Sequence, residues 1–214
     1  MRTRRSILGV GLASILGAGF LPDPFVSAMR WASAASRKVL DRGTRRESLI
    51  REDPAALDTT NLEVTPLDDF GTMGPTDLVV DSTTWRLEVT GQVRRPLRLT
   101  YAQITALPSI EREVLLICPG FFANHGRWKG VSISGLLDQA EFDRTAAHIV
   151  IEAKGGKTSR FPLADTLSGK IFLAYQVNGK TLPRKHGFPL RAVAADSYGS
   201  DWVKYVEKIT VERT

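Results

Sequence analysis

The one cysteine of the sequence, Cys118, closes the apolar run Glu113-Val-Leu-Leu-Ile-Cys118 and is followed at once by Pro119-Gly120. Such a run reads as a central β-strand, and Pro-Gly breaks it. The thiol therefore has a fixed direction at a strand end, where the chain turns away and leaves room for a pocket. A single cysteine makes no internal disulfide, so this thiol is buried, reactive or a ligand. Burial is the common fate of a free cysteine. As a thiolate it is instead a soft ligand suited to a transition metal. Seven residues on stands His125, expected on a loop beside Cys118. Its ordinary pKa suits it to hand a proton to a leaving oxygen or water. The alternative is a loop histidine with no chemistry. Asn124 and Tyr198 are weaker candidates for such roles, and Trp85 and Trp128 are assigned to the core.

The elements that must position these residues are mostly strands. Trp85-Arg-Leu-Glu-Val-Thr alternates apolar and polar residues up to Gly91, as a half-buried strand does. A second short strand is expected over 95–99, and Thr100 can cap a short helix over 101–107 that Pro108 stops. A helix is expected over 132–140, with Ile133, Leu136 and Leu137 inward, and strands over 148–152, 171–177, 190–194 and 208–212. Asn178-Gly179 reads as the tight turn of a hairpin. The sum is an α+β chain of mixed, mostly antiparallel sheets with short helices. No βαβ alternation and no glycine-rich phosphate loop points to a dinucleotide-binding fold.

The chain has 214 residues, enough for one well-buried core. Its net charge of +6 invites a nucleic-acid reading. Residues 1–46, however, hold nine Lys/Arg and two acids, which leaves the other 168 residues at −1. A nucleic-acid binder carries its basic patch on the folded domain, so no nucleic-acid partner is expected. The excess belongs to a leader: Thr3-Arg4-Arg5-Ser6-Ile7-Leu8, then a Gly/Ala/Leu/Ile run to Leu21. A basic start before a short apolar run is an export signal, and the paired arginines fit the twin-arginine type, with a general secretory signal as the alternative. Twin-arginine export carries folded proteins, often with a cofactor already loaded. Val26-Ser27-Ala28 and Ala32-Ser33-Ala34 both offer cleavage sites, and an uncleaved leader, the one expected tie to a membrane, stays open. The organisation expected is a leader over 1–34, a polar approach segment over 35–60 and a catalytic domain over 61–214. The location expected is periplasmic or otherwise extracytoplasmic.

Four ordered blocks carry a resemblance. They are Trp85-Arg-Leu-Glu-Val-Thr-Gly91 with Val93, Pro96-Leu97, Leu99 and Thr100; Cys118-Pro-Gly with Trp128-Lys-Gly130-Val131 and Leu136-Leu137; Ala174-Tyr175 through Asn178-Gly179, Leu182-Pro183 and His186-Gly-Phe-Pro-Leu-Arg191; and Tyr198-Gly199 with Trp202-Val-Lys-Tyr205, Ile209 and Val211. Together they resemble the molybdopterin-binding domain of the sulfite oxidase family, which includes the periplasmic methionine sulfoxide reductase catalytic subunit. The resemblance implies the fold of that domain, a Mo-molybdopterin cofactor and Cys118 as the protein's ligand to molybdenum. It implies that His186, Arg191 and Lys204 hold the pterin and its phosphate, that Trp202 and Val203 approach it by their main chain, and, more weakly, that Asn61 contacts it. Gly187 and Gly199 would allow close backbone approach.

One departure bears on the substrate. Sulfite oxidases carry an Arg-Asn-His stretch before the cysteine strand, and the matching residues here, 75–81, read Pro-Thr-Asp-Leu-Val-Val-Asp with no arginine. The resemblance then implies two-electron oxo-transfer on a small molecule, with S- or N-oxide reduction first and sulfite oxidation as the alternative. A non-catalytic binding protein on the same fold is the reading from another class. The chain has no Cys-x-x-Cys-His for covalent haem and no room for a flavin or haem domain. Electrons would pass to or from a separate redox partner, a cytochrome or a membrane haem protein.

Overall fold

The computed structural model describes residues 36–213, so the leader and its cleavage sites lie outside the described residues. Within them, β1 (Lys38–Val39) and β2 (Leu57–Asp58) form a small parallel pair. Next come β3 (Arg86–Gly91), β4 (Leu97–Thr100), α1 (Tyr101–Ala106), β5 (Ser109–Cys118) and β6 (Phe122–Ser132). The chain continues through α2 (Ile133–Gln139), β7 (His148–Ala153), β8 (Thr158–Pro162), α3 (Leu163–Leu167) and β9 (Ile171–Val177). It ends with β10 (Lys180–Thr181), β11 (Arg191–Ala194) and β12 (Val206–Glu212). No helix among them is long and apolar enough to cross a membrane.

Two five-stranded sheets result. One has the order β10-β9-β6-β5, with β11 also paired to β9. The other runs β4-β3-β12-β7-β8 and is antiparallel except where β12 lies parallel to β3. The expected α+β class and the expected strands and helices are present, within a residue or two at most ends. The start of α1 shows the local code at work. Thr100 accepts from the Gln103 amide, while the Gln103 side chain accepts from the Thr100 amide. This reciprocal pair satisfies two of the helix's orphan donors.

Residues 122–132 differ from expectation. The stretch around His125, a loop by expectation, forms β6, paired with β5 from Ser109↔Val131 to Cys118↔Phe122. Polar Asn124, His125, Arg127 and Lys129 mask its alternation. Cross-strand neighbours share a face, so β5 and β6 present two surfaces. Val114, Leu116 and Trp128 face the main core, whereas Leu115, Ile117 and Ala123 face a second cluster. That cluster is completed by Leu40, Leu49, Leu57 and Leu62, all at most 5% exposed. The segment expected as a polar approach therefore contributes leucines to the fold. Each such leucine contributes about 1.5–3 kcal/mol by leaving water.

Candidate active site

Cys118 ends β5 as expected and is half-buried. Its side chain shares a face with Phe122, its cross-strand partner, and with Asn124 further along. Burial pushes the thiol above its ordinary range, so a thiolate there needs a positive partner such as a metal ion. Among the described residues no three His, Cys, Asp or Glu side chains converge on a metal position. A metal held at Cys118 would thus take most of its remaining ligands from outside the protein.

A strap, residues 70–75, runs past this thiol and links it to the basic residues. Asn124 clamps Gly71 twice: its Oδ1 accepts from the Gly71 amide at 3.0 Å, and its Nδ2 donates to the Gly71 carbonyl at 2.9 Å. Glycine is required there, because a Cβ would lie 2.3 Å from Cγ of Phe122. Met73 Sδ lies 3.7 Å from Cys118 Sγ. Lys204 Nζ donates to Thr72 Oγ1 at 2.6 Å, to the Lys185 carbonyl at 2.8 Å and to the Pro75 carbonyl at 3.1 Å. An ammonium has three donors, so a phosphate at Lys204 must take the place of one of these acceptors. Tyr205 donates its hydroxyl to the same Pro75 carbonyl at 3.2 Å.

Behind the strap lies a buried basic cluster. Arg191, at the start of β11, is 5% exposed, and His186 is 1% exposed. The Arg191 guanidinium sits 5.2 Å from the Trp202 ring and 5.6 Å from the Trp128 ring. Its Nη1 donates to the His186 carbonyl at 3.0 Å, but its Nε has no partner. His186 Nε2 and Trp202 Nε1 are likewise buried without partners. No carboxylate pairs with Arg191 among the described residues. Burying an ion costs several kcal/mol, while cation–π contacts return about 0.5–2 kcal/mol. The rings alone do not offset that cost; an anion would. The pKa directions agree. Burial lowers Arg191 to about 10. Burial, then Arg191, lowers Lys204 to about 8. Burial, then Arg191, Lys185 and Lys204, lowers His186 to about 4. Unpartnered buried donors beside unpaired cations are the donor set that an anionic pterin phosphate requires.

The depressed His186 sets a pH dependence. Its ordinary value is 6.5 and its folded value about 4. The unfolded chain therefore takes up a proton first as pH falls. The neutral ring's contribution is complete above pH 6.5 and is lost on descent to about pH 4. The loss is on the order of 3 kcal/mol. Denaturant unfolding of the cofactor-free chain at several pH values should show this decline, and His186→Asn should flatten it.

The expected site residues divide into two groups. Cys118, His186, Arg191 and Lys204 are joined by the strap and the cluster. Trp202 is 2% exposed and packs edge-on against Trp128, ring centroids 5.3 Å apart, while the Val203 carbonyl accepts from the Ala192 amide at 2.8 Å. Gly187 does allow close approach, but to the chain itself: a Cβ there would lie 2.9 Å from Lys204 Cα. Tyr198 stands beside the cysteine strand end, since the neighbouring Gly199 amide donates to the Ile117 carbonyl at 2.7 Å.

His125 and Asn61 fall elsewhere. His125 is not on a loop beside Cys118. It lies within β6 opposite Leu115, on the sheet face away from the cysteine, and is fully buried. Its Nδ1 is 3.2 Å from the Glu63 carbonyl, and its main chain pairs with Thr65. Burial lowers its pKa. A neutral ring on the far face pins the segment around residues 62–65 and reaches no substrate at Cys118. Asn61 is exposed in a groove with Asp41, Arg42, Glu113 and Arg127, apart from the cationic cluster. Sequence reasoning missed Phe70, Gly71, Thr72 and Met73. Gly71 beside Phe70 in an irregular stretch was the one signal available.

Comparison with known proteins shows the family. The model of the oxidoreductase molybdopterin binding domain family matches residues 73–214. The uncharacterized oxidoreductase YuiH of Bacillus subtilis is 31% identical over 131 residues, covering 59% of this chain and 66% of its own length. The protein-methionine-sulfoxide reductase catalytic subunit MsrP of Gluconobacter oxydans is 30% identical over 181 residues, covering 70% of this chain and 58% of its own. The chain thus spans less than two thirds of either relative. The crystal structure of the sulfane dehydrogenase SoxCD from Paracoccus pantotrophus matches 96% of this chain and 56% of that one, with a TM-score of 0.61 at 19% identity, a likeness of fold. The chain belongs to the oxidoreductase molybdopterin-binding domain family, the sulfite oxidase family, whose cofactor is Mo-molybdopterin.

Proposed function

We propose that this chain is an exported oxidoreductase that reduces a small neutral S- or N-oxide, taking electrons from a separate redox protein. The observation that carries the reading is the acid-free cluster of buried Arg191 and His186 with half-buried Lys204, linked by one strap to the half-buried thiol of Cys118. In this reading the Cys118 thiolate holds the metal. Arg191, His186, Lys204 and the main chain at Trp202–Val203 hold the pterin and its phosphate; Asn61 is left out by its position. When bound, the cofactor supplies two-electron oxygen-atom transfer. The protein's part is to anchor and orient. Arg191 provides a fixed cation that costs no reorganisation, because two tryptophans hold it in place.

The direction and substrate rest on what surrounds the thiol. Residues 75–81 bring no arginine for an anionic substrate, and Lys204 is tied to the strap. Kinship with a methionine sulfoxide reductase catalytic subunit favours the same substrate class. Export follows from the twin arginines ahead of a short apolar run. The test is made on protein exported from a molybdenum-replete host. It should carry close to one molybdenum per chain and, supplied with a reduced dye, consume dimethyl sulfoxide faster than it oxidises sulfite with an oxidised dye. Faster sulfite oxidation would reverse the substrate assignment.

A further inference from the structure

We infer that Met73 is a specificity-determining residue: its thioether, held over Cys118 by the pinned strap, admits soft neutral substrates and disfavours oxyanions. This rests on the reading of Cys118 as the reacting centre's ligand. Met73 Sδ is 3.7 Å from Cys118 Sγ, yet the residue is 46% exposed, so it spans the interval between the thiol and solvent. A thioether is uncharged, polarizable and flexible. Met73 therefore covers one side of the approach to the half-buried thiol.

The position of Met73 is fixed by its neighbours in sequence. Gly71 is clamped by Asn124 through two hydrogen bonds. Thr72, next to Met73, is tied to Lys204, and on the other side the Pro75 carbonyl accepts from both Lys204 and Tyr205. Two anchors two residues either side leave the side chain's rotamers as the main freedom. Aromatic residues neighbour Cys118 along the main chain. Phe121, whose amide closes a turn onto the Cys118 carbonyl, is 70% exposed, and Tyr198 is 36% exposed. Phe122 is the cross-strand partner of Cys118. An uncharged thioether offers an oxyanion nothing to replace its hydration, which makes entry past it costly. A sulfoxide or thioether pays far less for the same passage.

The test uses Met73→Ala and Met73→Arg. Because Met73 is half exposed, neither change removes core packing. In the full chain made without cofactor, Met73→Ala should raise the rate of Cys118 alkylation by iodoacetamide about fivefold, as uncovering a thiol does. In holoenzymes compared at equal molybdenum content, Met73→Arg should shift the ratio of kcat/KM for sulfite over dimethyl sulfoxide by about tenfold or more towards sulfite. An alkylation rate within about twofold of wild type, or an unmoved ratio at full molybdenum content, overturns the inference. Wild-type protein without molybdenum, or without either activity, would instead sink the proposed function, while the alkylation comparison would still decide whether Met73 covers the thiol.

Discussion

Arg191→Met is expected to abolish pterin retention while leaving the cofactor-free fold as stable as before, or more so. Mutations at buried positions usually cost stability, so the sign is informative. Arg191 is a buried cation with one unpartnered donor and no carboxylate. Removing such a charge in favour of an apolar side chain of similar volume is often neutral or stabilising by about 1–4 kcal/mol. The stacking lost against Trp128 and Trp202 is about 0.5–2 kcal/mol, part of which the thioether regains. In the loaded protein the balance reverses, because truncating one partner of a buried charged pair costs about 2–5 kcal/mol. Denaturant midpoints of the cofactor-free variant, set beside pterin content after gel filtration, separate the two effects. A destabilised variant that keeps its pterin would show Arg191 to be a structural residue only.

Cys118→Ser is the second large effect. The substitution is nearly isosteric at a half-buried strand end, so folding stability should change by less than about 1 kcal/mol. Molybdenum content should nevertheless fall to about a tenth of wild type or less. A serine hydroxyl does not ionise near neutral pH and is a hard ligand in place of a soft one. Pterin should survive better than metal, because Arg191, His186 and Lys204 are untouched. Loss of pterin and metal together, with normal folding, would mean that the thiol anchors the whole cofactor rather than the metal alone.

Much of this was legible in the residues because the signals were local. Thr100 and Gln103 announce α1 across three positions. Asn178-Gly179, both at positive φ, turn β9 into β10. The apolar run ending at Cys118 gave β5 and the thiol's place on it. What failed was set by distant partners. β6 carries Asn124 and His125 inside the protein, where Asn124 is paired with Gly71 and the Nδ1 and main chain of His125 with residues 63 and 65. No pattern within β6 could reveal that, so His125 was placed on a loop by the Cys118 side of the fold. The leucines at 40, 49, 57 and 62 follow neither a period of two nor one of 3.6, and the segment read as polar. The cations of the site were recoverable from the resemblance, since their residue types and order follow the family. The strap was not, because its pins are hydrogen bonds from Asn124 and Lys204 to main chain more than fifty positions away.

The central claim is that the sulfur of Cys118 is a ligand to molybdenum. Molybdenum-edge X-ray absorption of the exported wild-type protein tests it most directly. Two dithiolene sulfurs from the pterin and one cysteine sulfur should give about three sulfur neighbours per metal. Two sulfur neighbours only, in protein whose Cys118 still reacts with iodoacetamide at the thiol's full stoichiometry, would contradict it.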